Sequence, residues 1–212
     1  MPRAEGPETH THHPHPACLD PAELLKQCTI TTGPNAGGPG GQNRNKLATH
    51  VQITHDPTGI SAQAGEWRTQ VENKKAALKR LRIALAIGHR AEPPGPPPVS
   101  GKTREEFLAS LDATIGQAGA PARGCSELWL RRLKSSRGSA TGRINVNPDH
   151  TDFPSILAEA LDHIASYQWE PKPAAQRLGV TTSQLIKLVK ECPPAQLMWN
   201  QQRAKRGLHG MK

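Results

Sequence analysis

The sequence predicts an α+β protein in which a small β-sheet with one helix is followed by a mostly helical part. Residues 28–64 show β-branched runs and an alternation of apolar and polar residues, which is the pattern of short strands. From Thr69 to Ile87 the apolar residues recur with a helical period instead. Beyond a proline-rich stretch, residues 127–212 show mostly helical patterns and the spacing of a helix-turn-helix.

Composition limits the hydrophobic core and points to an anionic partner. Aromatic residues make up 3% of the chain, beside 19 glycines and 20 prolines, so large parts cannot join a dense core. The net charge of +9 favours nucleic acid over a membrane as the partner. The longest apolar run, residues 83–87, is far too short to span a bilayer, and we expect no membrane association.

The cysteines lack CxxC spacing, and residues 1–16 lack the apolar core of a signal peptide. We therefore expect free thiols in a cytoplasmic, monomeric protein. The histidines, cysteines and tryptophans show no metal or cofactor signature, so neither is expected.

Four segments follow from these patterns. Residues 1–19 are predicted to be a disordered His/Pro-rich tail, and residues 20–89 a unit of strands and one helix. Residues 90–126 are a Pro-rich linker with a short helix that begins near Thr103. Residues 90–100, which contain five prolines, are predicted to be a semi-rigid spacer that in a polyproline conformation could hold the two units about 30 Å apart. Residues 127–212 form the basic helical unit.

The first unit begins with a helix signal, because Asp20 is a candidate N-cap followed by Pro21. Strands are predicted at residues 28–32 and 51–55, and residues 60–64 return as a third strand. Between the last two strands, residues 56–59 form a type I turn signal.

The helix from Thr69 to Ile87 is predicted to be amphipathic. Its apolar stripe consists of Val71, Leu78, Leu81 and Leu85. The opposite side carries the cations Lys74, Lys75, Lys79, Arg80 and Arg82.

In the second unit, residues 128–147 are strongly cationic and end in a short strand or an extended arm. Residues 153–167 form a helix, residues 174–185 the helix-turn-helix with Gly179 at the turn, and a last helix starts at Pro194. The expected anchors of the core are Trp129, Trp169 and Trp199. This unit either binds nucleic acid or is a small bundle that packs its own core.

A glycine-dense loop, residues 37–41, ends in a single glutamine. Gly40 and Gly41 leave the backbone free to approach a ligand closely. Gln42 then supplies a backbone N–H and an uncharged side chain that can position water. Preorganised N–H groups can stabilise negative charge that develops in a transition state without a titrating residue. No Ser-His-Asp or Cys-His arrangement competes with this loop.

Three sequence blocks in order resemble the catalytic domain of the class I peptide-chain release factors and their stand-alone rescue relatives. The loop G-x-G-G-Q and the following Asn-Lys correspond to residues 38–46, the block T-H-x-P-T-G-I to residues 54–60, and R-S-Q-x-x-N to residues 68–73. The resemblance implies ribosome-dependent hydrolysis of peptidyl-tRNA, with the Gln42 amide on the departing ribose oxygen.

By the same resemblance, the catalytic residues are Gly40, Gly41 and Gln42. The partners are the RNA of the large ribosomal subunit and P-site peptidyl-tRNA. The RNA-binding residues are Arg44, Lys46, Arg68, Lys74, Lys75, Lys79 and Arg82.

The chain also departs from the family. Arg44 stands where the family has a hydrophobic residue, His50 where a small residue or Lys is typical, and Trp67 where a charged residue is usual. Only about 30 residues precede the loop, so we expect no codon-reading domain and propose codon-independent rescue. One alternative is a non-catalytic ribosome- or RNA-binding protein with a degenerate loop. Another is a DNA-binding regulator that acts through residues 153–192.

Overall fold

The computed structural model of the chain describes residues 15–34, 48–91, 125–135 and 141–211. The glycine-dense loop and the short helix expected near Thr103 lie outside the described residues.

Three antiparallel strands form the sheet, in the order β1 (Cys28–Gly33), β2 (His50–His55) and β3 (Ser61–Ala64). Ile53 in the central strand pairs with Ile30 on one side and with Ala62 on the other. Helix α1 (Pro21–Lys26) precedes the sheet, and its N-cap Asp20 accepts a hydrogen bond from the Ala22 N–H, as predicted. The predicted strands are confirmed.

The turn between β2 and β3 is closed by hydrogen bonds from the N–H groups of Thr58 and Gly59 to the His55 carbonyl, at 3.3 and 2.8 Å. Gly59 has φ +69°, a conformation that residues with a Cβ rarely adopt. The buried His55 ring lies 2.7 Å from Thr58 Oγ1 and 3.1 Å from Gln27 Oε1. The ring therefore ties the turn to the junction of α1 and β1, which explains the T-H-x-P-T-G block.

Helix α2 (Gln70–Gly88) packs across β2 and β3, and the Thr69 hydroxyl caps it by accepting from the Glu72 N–H. Leu81 and Leu85 are fully buried, as the predicted stripe requires. Val71 does not belong to this stripe, because its side chain is 64% exposed.

The second part contains the helices and strands α3 (Glu127–Arg132), β4 (Leu133–Ser135), β5 (Gly142–Ile144), α4 (Phe153–Ser166), α5 (Pro171–Arg177), α6 (Thr182–Lys190) and α7 (Pro193–Ala204). Helices α5 and α6 form the predicted helix-turn-helix, with Gly179 at φ +69° in the turn. The Gly142 N–H donates to the Gly179 carbonyl at 2.7 Å, which attaches the β4–β5 hairpin to that turn.

The tryptophans of this part are core anchors, as predicted, with Trp129 and Trp199 fully buried. Their indole N–H groups donate to the carbonyls of Leu178 and Trp169, at 2.9 and 3.1 Å. Neither buried N–H group is therefore left without a hydrogen-bond acceptor. Among the helices of the described residues, none combines the length and the apolar character that a bilayer crossing needs.

The two parts pack directly against each other, which corrects the expected separation of about 30 Å. Helix α2 contacts α4, and the buried apolar residues of both parts form one cluster. The Arg82 guanidinium lies in this interface, where it donates to the carbonyls of Ala17 and Thr151 and to Ser155 Oγ. Near the end of α2, Arg90 Nη1 lies 2.9 Å from Asp162 Oδ1 of α4.

Residues 15–19 belong to this interface and not to the predicted disordered tail. They form a short 3-10 helix (Pro16–Cys18) in which Ala17 is fully buried. His15 caps it by accepting from the Ala17 N–H, and its Nε2 lies 3.2 Å from the His89 carbonyl. Burial lowers the pKa of His15 to about 4.

The burial of His15 predicts a pH dependence of stability. Between pH 6.5 and pH 4 the unfolded chain binds a proton at His15 that the folded chain does not bind, so folding weakens as the pH falls. The shift corresponds to roughly 3 kcal/mol. We therefore expect the stability of the parent relative to His15→Asn to fall by about 3 kcal/mol between pH 7 and pH 4. Denaturant titration of both proteins at the two pH values measures this change. Parallel pH profiles would contradict this prediction.

Candidate nucleic-acid interface

The predicted catalytic residues Gly40, Gly41 and Gln42, together with Arg44 and Lys46, lie outside the described residues. The two ends of their segment are described. Gly33, the last residue of β1, pairs with His50, the first residue of β2. The described residues on either side of residues 35–47 therefore lie next to each other, at one end of two neighbouring strands.

The fully buried side chain of Asn73 fixes the point where this segment rejoins the sheet. Its Nδ2 donates to the carbonyl of Thr49 at 2.7 Å and to the carbonyl of Trp67 at 2.9 Å. Its Oδ1 accepts from the Trp67 N–H at 2.9 Å. One amide thus joins the start of β2, the segment after β3 and the first turns of α2. This contact gives the asparagine of the R-S-Q-x-x-N block a structural role.

An exposed surface surrounds the start of α2 next to this contact, and we call it the entry surface. It consists of Trp67, Arg68, Val71, Lys74 and Lys75, all of them exposed. Within the described part of the chain, no carboxylate pairs with these three cations. The surface thus combines positive charge with apolar side chains, of which Trp67 is 53% exposed.

Trp67 is a candidate that sequence reasoning missed. The sequence shows only an unusual residue before Arg68, and its exposure depends on how the chain turns into α2. An exposed indole beside cations can stack on a base or a ribose while the cations hold phosphates.

Two predicted RNA-binding cations of α2 are engaged within the protein. Lys79 Nζ lies 2.6 Å from Asp149 Oδ1 in an exposed ion pair, which lowers the pKa of Asp149. An exposed pair of this kind opens at little cost, so Lys79 stays a candidate. Arg82 does not: its side chain is buried and its N–H groups are used in the interface with α4, so the prediction that it binds RNA is wrong.

A groove of about 380 Å³ lies in the second part, between β5 and α6. Arg143 and Lys187 contribute positive charge to its lining, and Glu191 contributes negative charge. The buried Oε1 atom of Gln184, which also lines the groove, has no hydrogen-bond partner among the described residues. The groove thus offers a polar concave surface beside the second helix of the helix-turn-helix.

Known proteins match the first part of the chain. The RF-1 domain model matches residues 26–97. The chain is 52% identical over 52 residues to the chloroplastic peptide chain release factor PrfB1 of Arabidopsis thaliana, which is 24% of this chain and 11% of that protein. It is 43% identical over 63 residues to peptide chain release factor 1 of Chlorobaculum tepidum, covering 30% of this chain and 18% of the relative.

A third relative, peptide chain release factor 1 of Streptococcus thermophilus, is 50% identical over 52 residues, with 24% of this chain and 14% of the relative covered. The chain thus spans less than a fifth of the length of these relatives. The residues that the RF-1 domain model matches include the three strands, residues 35–47 and α2.

The Asn73 contact predicts a loss of stability that depends on its donor group. Asn73→Asp keeps the shape and the acceptor for the Trp67 N–H but cannot donate to the two carbonyls. Unpaired buried groups cost about 1–3 kcal/mol each. We expect a loss of about 2–4 kcal/mol in the free energy of unfolding, measured by urea titration.

Asn145→Asp makes the same change at an exposed residue and serves as the matched control, for which we expect no such loss. Equal stabilities of Asn73→Asp and the parent would show that the contact does not hold the segment.

Proposed function

Because the RF-1 domain model matches residues 26–97, we propose that the protein hydrolyses the ester bond of peptidyl-tRNA on the ribosome without reading a codon. The observation that carries this proposal is the G-x-G-G-Q segment inside the matched region, between two strand ends that pair with each other.

In the proposed reaction, water attacks the carbonyl carbon of the ester, and the bond from that carbon to the ribose oxygen breaks. The backbone N–H of Gln42 donates to the departing ribose oxygen, and its side chain positions the water. Gly40 and Gly41 allow the main chain to come that close because they carry no Cβ. A preorganised donor of this kind contributes about 10²–10³-fold in rate.

The contacts at the two ends of residues 35–47 support this proposal. A donor accelerates hydrolysis only if it is held in place, and a segment anchored at one end alone would not hold it. Pairing of Gly33 with His50 anchors both ends, and Asn73 fixes the return through Thr49. The described residues at both ends of the segment are thus held in place by backbone pairing and by Asn73, as the proposed chemistry requires.

The entry surface supports ribosomal RNA as the partner. Arg68, Lys74 and Lys75 offer their charges to phosphates, and Trp67 offers a stacking face. Trp67 is hydrogen-bonded to Asn73, which also contacts Thr49 at the end of the loop segment. RNA bound at the entry surface would therefore lie beside the segment that carries Gln42.

In this proposal the helical part replaces codon reading as the docking device. It is attached firmly to α2 through Arg82 and Arg90 and exposes Lys187 and Lys190 on α6. Together with Arg143 at the groove, these cations suit an RNA backbone. A cytoplasmic ribosome and a monomeric protein remain part of the proposal.

The main alternative is a ribosome-binding protein with an inactive loop, suggested by Arg44 and His50. A DNA-binding regulator is the second alternative, suggested by the helix-turn-helix of α5 and α6. Release of peptide separates the first alternative from the proposal, and comparison of duplex DNA with ribosomes in binding assays separates the second.

The backbone donor predicts a difference between two substitutions of one residue. Gln42→Pro removes the N–H, whereas Gln42→Ala keeps it and removes only the side chain. On ribosomes with P-site peptidyl-tRNA and an empty A site, we expect Gln42→Pro to release peptide about 10²–10³-fold more slowly than the parent.

Gln42→Ala should release peptide more slowly than the parent but faster than Gln42→Pro. It should also admit hydroxylamine as a nucleophile more readily than the parent, since the side chain no longer excludes it. Release by Gln42→Pro at the parental rate would remove the mechanism. A parent that binds these ribosomes and releases nothing would establish the inactive-loop alternative.

Lys74 and Lys75 are exposed on α2 whereas Arg82 is buried, so their removal should change the salt dependence of ribosome binding differently. The double variant Lys74→Ala, Lys75→Ala should bind ribosomes more weakly, and the slope of log affinity against log salt should fall by about 2, since two phosphate contacts are lost. Its stability should stay within about 0.5 kcal/mol of the parent, because both side chains are exposed.

Arg82→Met is the matched control on the same helix. It removes one charge from the interface with α4, so we expect about 2–3 kcal/mol lower stability and an unchanged salt slope. A salt slope that falls with Arg82→Met but not with the lysine variant would contradict the assignment of the entry surface.

A further inference from the structure

A mixed cluster of side chains lies in the helical part, away from the residues assigned to RNA. It consists of Cys125, Glu159 and His163, each of which offers one atom that commonly binds metals. The thiol sulfur, a carboxylate oxygen and an imidazole nitrogen all lie within 4.8 Å of one another. Sequence reasoning missed it because Cys125 is 34 residues from Glu159 and no short motif joins them.

Helix α4 supplies two of the three side chains. Glu159 and His163 are four residues apart, so they lie on the same face of the helix, one turn from each other. Cys125 directly precedes Ser126, the N-cap residue of α3. The cluster therefore spans the start of α3 and the middle of α4.

The histidine has an unexplained polar atom. His163 is only 1% exposed, and its Nε2 has no hydrogen-bond partner among the described residues. Buried polar nitrogens are nearly always paired, so an orphaned one needs an explanation. An imidazole nitrogen with no other partner is a suitable ligand for a metal ion.

The other two side chains, Cys125 and Glu159, are partly exposed. The two Glu159 oxygens accept from the N–H and the hydroxyl of Ser126, at 2.7 and 2.5 Å. Since each carboxylate oxygen has a second lone pair, these contacts orient the carboxylate without using up its capacity.

We infer that Cys125, Glu159 and His163 bind Zn²⁺. Sulfur, nitrogen and oxygen together suit a borderline-soft ion, and three protein ligands leave one tetrahedral position for water. A thiolate and a carboxylate neutralise the two charges of the ion, which matters because the Arg177 side chain lies nearby. Binding replaces the thiol proton of Cys125 with the metal and releases that proton to solvent.

The bound ion would act as a brace between α3 and α4. It would join the start of α3 to the helix on which the first part of the chain docks. Because a ligand that binds only the folded state stabilises it, zinc should raise the melting temperature of the full chain.

The test uses Co²⁺ as a spectroscopic substitute for Zn²⁺ in the metal-free full-length protein. A thiolate ligand gives a sulfur-to-cobalt charge-transfer band in the near ultraviolet, which imidazoles of the His-rich residues 1–14 cannot give. We expect this band at one equivalent of Co²⁺ and its loss when one equivalent of Zn²⁺ is added.

Cys125→Ser should abolish the band, and His163→Gln should weaken binding by about 100-fold or more. Cys28→Ser is the matched control, since Cys28 is also a free, half-buried thiol, and it should keep the band. Absence of the band in the parent, or an equal band in Cys125→Ser, would overturn the inference.

A second measurement needs no variant and so does not depend on whether Cys125→Ser folds. Alkylation of the parent with and without Zn²⁺, mapped by mass spectrometry, should show slower modification of Cys125 with zinc and an unchanged rate at Cys28. Equal rates at Cys125 in both conditions would also overturn the inference.

Discussion

The side-chain amide of Asn73 is the interaction on which the candidate site depends. Residues 35–47, which carry the glycine-dense motif, lie between Gly33 and His50, whose backbones pair in the sheet. Asn73 fixes the described return to β2 by joining Thr49, Trp67 and the start of α2 through three hydrogen bonds. Asn73 also contacts Trp67 of the entry surface, so that surface lies next to the residue at which residues 35–47 return to the sheet. The same side chain therefore positions the end of the loop segment and the proposed RNA-binding surface.

Helix α2 serves the two parts of the molecule through different faces. Its buried residues Ala77, Leu81 and Leu85 pack in the common core, and its exposed first turns carry Lys74 and Lys75. Arg82, which looks like one more cation of the same series, is instead the polar centre of the interface with α4. A buried guanidinium that donates to fixed carbonyls sets the docking geometry more specifically than apolar contact alone. Hydrogen bonds together with the shared apolar core thus set how the helical part docks on α2.

Local rules were sufficient to predict much of the fold from the sequence. The strands, the turn at Gly59, the cap at Asp20 and the bend at Gly179 depend on near neighbours in the chain, and the sequence displays them. The errors concern Val71, Arg82 and His15, whose environments depend on distant residues: the partners of Arg82 are 65–73 residues away. For the candidate site, the motif pointed to Arg68, Lys74 and Lys75, which lie exposed, whereas Trp67 and the cluster around His163 depend on tertiary structure.

Our central claim is that residues 35–47 carry a backbone donor to the ester of peptidyl-tRNA while the entry surface rests on RNA. An electron cryo-microscopy structure of the protein on a ribosome with P-site peptidyl-tRNA tests it most directly. We predict that the Gln42 backbone nitrogen lies within hydrogen-bond distance of the ribose oxygen at the acceptor end, with Trp67, Arg68, Lys74 and Lys75 against ribosomal RNA. A complex in which Gln42 lies far from the acceptor end, or in which the entry surface faces solvent, would contradict the claim.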